Sequence, residues 1–103
     1  MEVYLKANLG KRMVRRETQS RQALYMAEGG IEWAKAHLLS DFGLRRGEVV
    51  FDMGQAAIFI ESSGDDYKVI SEGRSGLAVR RIEEILQEET GKWIVKSYQE
   101  LHQ

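Results

Sequence analysis

From Val3 to about Ser40 the chain contains no proline, and its only glycines there are Gly10 and the adjacent pair Gly29 and Gly30. So long a stretch with so few breakers permits one continuous helix. Leu24, Ala27, Ile31, Ala34 and Leu38 recur every three or four residues as one apolar stripe, and Glu28, Glu32 and Lys35 fall on the polar side. The stripe requires a flat apolar partner. Each glycine costs the helix about 1 kcal/mol relative to alanine, so the pair predicts a sheet or a second helix pressed close at that point. A helix of roughly 35 residues rises about 50 Å, more than a small domain can cover, and its N-terminal half is expected to project. In that half Val3, Leu5, Leu9, Met13 and Val14 interleave with Lys6, Lys11, Arg12, Arg15 and Arg16, as in a segment seeking partner helices or a membrane surface.

Asp41, Phe42, Gly43 and the Arg45-Arg46-Gly47 stretch stop the helical period, after which the rhythm changes. The runs 49–52, 57–61, 67–72 and 93–98 are rich in β-branched and aromatic residues, and Ser62 to Asp66 forms a turn between two of them. Gly73 to Gly76 reads as a hairpin loop. The segment 77–89 is ambiguous: Leu77 with Ala78, Arg81 with Ile82, and Ile85 with Leu86 recur about every four residues among good helix formers, which favours a helix. Turn signals on both sides favour a hairpin strand instead. The 103 residues, 43% hydrophobic and 30% charged, suit one domain over 1–103, with a helix at about 3–40 and a β-meander at about 48–100.

Lys and Arg number 15 against 16 Asp and Glu, so no global field draws nucleic acid or an acidic substrate. The absence of cysteine removes disulfides, thiolate zinc sites and thiol nucleophiles. His37 and His102 are not spaced as metal ligands. Asp65 and Asp66 beside Glu61 suit a turn better than calcium, which takes six to eight oxygens. Ser62, Ser63, Ser71 and Ser75 lack a base with an orienting acid. Trp33 and Trp93 read as core residues. Neither a catalytic set, a metal site nor a cofactor site is expected, and no small-molecule substrate. The basic residues Lys11, Arg12, Arg15, Arg16 and Arg21 could meet partner subunits, lipid headgroups or nucleic acid, the last disfavoured by the lack of stacking aromatics.

Three blocks carry a family resemblance. The run Gln22-Ala-Leu-Tyr-Met-Ala-Glu-Gly-Gly-Ile-Glu-Trp-Ala-Lys-Ala-His-Leu38 resembles the glycine-bearing helix of type IV pilin-like proteins, in particular PilX-type minor pilins and pseudopilins. Tyr67-Lys-Val-Ile-Ser-Glu-Gly73 with Ala78-Val-Arg-Arg-Ile-Glu83 is similar to two of the family's strands, and Lys92 to Glu100 to its last. The resemblance implies an α+β fold, a long N-terminal amphipathic helix on an antiparallel meander, with 77–86 a strand. It implies a structural subunit of a type IV pilus or a related type II secretion or competence filament. Its partners would be other pilin or pseudopilin subunits. It would lie in the cell envelope or an extracellular filament, exported and anchored through an apolar N-terminal segment absent from this chain. The alternative is a small nucleic-acid-binding or regulatory module using the basic helix 11–21.

Overall fold

The computed structural model describes residues 2–102, with side chains from Glu17 onward. One helix, α1 (Glu2–Ser40), precedes five strands: β1 (Arg46–Phe51), β2 (Gly54–Ser63), β3 (Asp66–Ser75), β4 (Ala78–Glu89) and β5 (Lys92–Leu101). All neighbours are antiparallel and the spatial order follows the chain, β1-β2-β3-β4-β5, so the sheet is a simple meander. The helix lies on one face, chiefly along β3 with β4 and β2 to either side.

Helix and sheet meet along a seam of small residues. Ala23, Ala27 and Ala34 on the helix and Ala56, Ser71 and Ser75 on the sheet are buried there. Larger side chains, Met26, Ile31 and Leu38 from the helix with Ile58, Ile60, Val69, Ile82 and Leu86 from the sheet, fill the space on both sides. The approach is close enough that a Cβ on Gly73 would stand 2.0 Å from the Ala23 carbonyl oxygen, and one on Gly30 would stand 2.2 Å from the Ser71 hydroxyl. The helical penalty of the glycine pair is thus offset by packing: Gly30 receives β2 and β3, and Gly29 receives the ring of Phe51.

The helix ends in a turn held by Asp41. The Asp41 amide donates to the His37 carbonyl (3.0 Å), the Asp41 carboxylate accepts from the Gly43 amide (2.9 Å), and the Leu44 amide donates to the Asp41 carbonyl (3.1 Å). The Arg45 guanidinium then donates to the carbonyls of Phe42 and Leu44, and the Ile60 amide donates to the Arg45 carbonyl at 2.9 Å, which opens the sheet.

Segment 77–89 is a strand from Ala78 onward, paired with β3 and β5, so the four-residue recurrence that favours a helix does not decide its structure. Ile82, Glu84 and Leu86 are buried under the helix, and Val79, Arg81, Glu83 and Ile85 share the outer face. The inward Glu84 is compensated by Lys35 on α1 at 3.2 Å. The loops are shorter than expected from sequence. Gly73, Arg74 and Ser75 belong to β3, leaving Gly76 and Leu77 as a two-residue turn, and the turn expected at 62–66 contracts to Gly64 and Asp65. Gly76 (φ 58°) and Gly64 (φ 60°) each hold the first central position with a left-handed backbone, a geometry matched to the twist of a tight hairpin.

Candidate interaction surfaces

Successive hairpins put their turns at alternate ends of the sheet. One end carries the α1–β1 loop with the Gly64-Asp65 and Thr90-Gly91 turns. The other carries the Asp52-Met53 and Gly76-Leu77 turns together with the C-terminus of β5. Helix α1 reaches the sheet at this second end: Gln19 lies against Gly76, and the Gln22 side chain lies 2.8 Å from the Ser75 hydroxyl. That hydroxyl also donates toward the Met53 carbonyl (2.9 Å), so the two turns and the helix are tied together. A Cβ on Gly54 would meet the Arg74 carbonyl oxygen at 1.9 Å, which shows how tightly the turns abut.

An open groove of about 430 Å³ runs beside these turns between α1 and β1, lined by Gln22, Tyr25, Met26, Phe51, Asp52 and Met53. Its walls are mainly apolar, with Asp52 as the one charged group in the lining.

The outer sheet face, turned away from α1, centres on a carboxylate between two guanidiniums. Glu72 accepts from Arg74 (2.8 Å) and Arg81 (2.6 Å), although only 8% of the residue is exposed. Burial alone would push its carboxyl up; the hydrogen bonds and positive charge of Arg74 and Arg81 outweigh that and hold it below the usual range. On the helix-facing side, at the strand ends, Arg80 pairs with Glu100 and donates to the Ser20 hydroxyl of α1 at 2.6 Å. The hydrogen bond from Arg80 lowers the Glu100 carboxyl. On the outer face at the β1 edge, Arg46 lies over the Phe59 ring, 5.9 Å from its centroid.

Of the residues expected to form the helix face, Ala27, Ile31, Ala34 and Leu38 are buried against the sheet and Leu24 is half-buried at its margin. Ala23, Met26 and Gly30 complete that face. Their three- and four-residue spacing to Ala27 and Ala34 is legible in the sequence, but small residues carry little hydrophobic signal. Of the basic residues Lys11, Arg12, Arg15, Arg16 and Arg21, the first four lie outside the residues whose side chains are described, and Arg21 is exposed. Trp33 packs over Gly47 and stacks on His37, whose ring nitrogen lies 2.9 Å from the Trp33 carbonyl. Trp93 donates its indole N–H to the Lys35 carbonyl (2.8 Å). Asp66 pairs with Lys96 at 3.1 Å and Asp65 sits in the exposed turn. Among the described residues no cluster of His, Asp and Glu is placed to hold a metal ion, and no helix is long and apolar enough to cross a membrane.

Comparison with protein-family models, with curated proteins and with solved structures gave no match.

Proposed function

We propose that the chain is a structural subunit, a minor pilin or pseudopilin, of a type IV pilus or a related type II secretion or competence filament. The observation that carries this reading is the N-terminal helix laid along the middle strands of an antiparallel meander. Such a unit offers its leading helical segment to neighbours while the sheet buries the rest. The arrangement in chain order, helix first and meander after, agrees with the resemblance of Gln22–Leu38, Tyr67–Gly73, Ala78–Glu83 and Lys92–Glu100 to pilin-like sequences. The surface chemistry agrees as well, since the described clefts are lined by packing and pairing groups. Partners are then further pilin or pseudopilin subunits, and the location is the cell envelope or a filament outside it.

Shearing filaments from cells that express the protein and probing the fractions with an antibody to this domain tests the reading. The protein is expected in the high-mass sheared fraction and the envelope. Recovery entirely in the cytosolic fraction overturns it.

A further inference from the structure

A cleft of about 510 Å³ opens between the outer flank of α1 and the sheet at its β5 edge, lined by Tyr25, Glu28, Gly29, Glu32, Glu84 and Tyr98. Three carboxylates meet there. Glu28 and Glu32 stand exposed on the helix face turned away from the core, and Glu84, 5% exposed, reaches the cleft from β4. The cation beside them is Lys35, already shared between Glu84 at 3.2 Å and Glu32 at 3.3 Å. The Glu28 carboxylate lies 3.5 Å from the Tyr98 hydroxyl. Burial pushes the Tyr98 phenol up, and the carboxylates of Glu28, Glu84 and Glu100 push it further, as an excess of negative charge requires. Tyr25, 70% exposed, and Tyr98, 53% exposed, border these acids. Aromatic rings beside surplus carboxylates suit an ammonium or guanidinium group, which both attract.

The chain concentrates such groups in one segment. Residues 2–16 hold five of the 15 Lys and Arg but one of the 16 Asp and Glu, a net +4 against −5 for the rest of the chain. They do not reach the cleft of their own copy, because α1 is continuous from Glu2 to Ser40 and positions 11 and 28 lie about 25 Å apart along its axis. Gln19 already lies against Gly76 in an end turn of the sheet, so the helix before it is carried past that end, where another copy meets it.

We propose that the cleft takes the basic segment 11–16 of a second copy, whose Lys and Arg side chains enter beside Tyr25 and Tyr98 and pair with Glu28 and Glu32. Charge complementarity of this kind selects the partner and fixes the register. The proposal deepens the filament reading by naming the contact, and it rests on that reading for the choice of a like subunit. The two still fail separately. Sheared filaments that hold a cleft variant at the wild-type level remove this contact and leave the filament, whereas charge-governed association of a protein found in the cytosol removes the filament and leaves the contact.

The test uses the purified full chain, with self-association followed by sedimentation velocity as concentration rises. Glu28→Arg/Glu32→Arg reverses the cleft at two exposed positions, and Arg12→Glu/Arg15→Glu reverses the segment. Wild type is expected to associate, and to do so about tenfold more weakly when salt is raised from about 50 to about 500 mM. Each variant alone should associate at least about tenfold more weakly than wild type. An equimolar mixture of the two should regain wild-type association, since each reversed surface then meets its opposite. Glu48→Arg/Glu61→Arg, an equal change of charge at exposed positions on the outer sheet face, should leave association unchanged. Four results overturn the proposal: a wild type that stays monomeric throughout, association indifferent to the cleft variant, a mixture that regains nothing, or an equal loss in the outer-face variant.

Discussion

Gly73 shows how one missing Cβ can set the distance between two layers. Its substitution by alanine would drive a methyl into the Ala23 carbonyl at 2.0 Å, and the obstacle is helix backbone, which cannot turn aside. Gly73→Ala is expected to lower stability by about 3 kcal/mol, the upper part of the usual overpacking range. Urea unfolding within about 0.5 kcal/mol of wild type would show that the layers are not in such contact. Ser71, beneath Gly30, should behave oppositely. Its hydroxyl is buried with no hydrogen-bond partner among the described residues, so Ser71→Ala removes an uncompensated polar group and should leave stability unchanged or raise it by about 1 kcal/mol. Glu72 gives a pH dependence. Its carboxyl is held below the usual range, so the stability it contributes is fully present above the unfolded value of about 4.3 and is lost as pH falls through its lower folded value. Glu72→Gln should therefore flatten the acid limb of the stability profile below about pH 4.3, and an unchanged limb would contradict the Arg74 and Arg81 pairing.

Strand β4 marks the limit of what local pattern can disclose at the scale of one element. Its glutamates, glutamines and leucines favour a helix by small increments, while its period of two is obscured by the inward Glu84. What makes Glu84 tolerable is Lys35, on a different element and remote in sequence, which no window along β4 could reveal. Lys35→Met leaves that carboxylate buried without its partner and should cost about 3 kcal/mol, and Lys35→Met combined with Glu84→Leu should recover most of the loss. Additive losses in that double-mutant cycle would mean that the pair is not coupled. Helix α1 was more legible, because Ala27, Ile31, Ala34 and Leu38 repeat at helical spacing and the glycine pair foretold a close partner. Its full packing face, with Ala23, Met26 and Gly30, was less so, since small side chains weigh little in an apolar pattern yet bring the backbones together. The turns are shorter than their residue types suggest, because Ser62 and Ser63 pair with β3, and Gly73 and Arg74 pair with both β2 and β4.

For the whole molecule, the helix-on-meander layout follows from an apolar stripe and a set of hairpins, whereas surface function leaves few marks in composition. A net charge near zero conceals a basic N-terminal segment and an acidic remainder. It also argues against tight nucleic-acid binding: association with a mixed-sequence oligonucleotide should be weak and disappear by about 150 mM salt, and sub-micromolar affinity that survives such salt would favour the module reading. We propose that this domain assembles with like subunits, and site-specific photocrosslinking in living cells checks for that contact. With a photoreactive residue at the exposed Glu17, a ladder of crosslinked pilin-like subunits is expected in the envelope fraction. Crosslinking confined to cytosolic proteins or nucleic acid, with no such ladder, would contradict it.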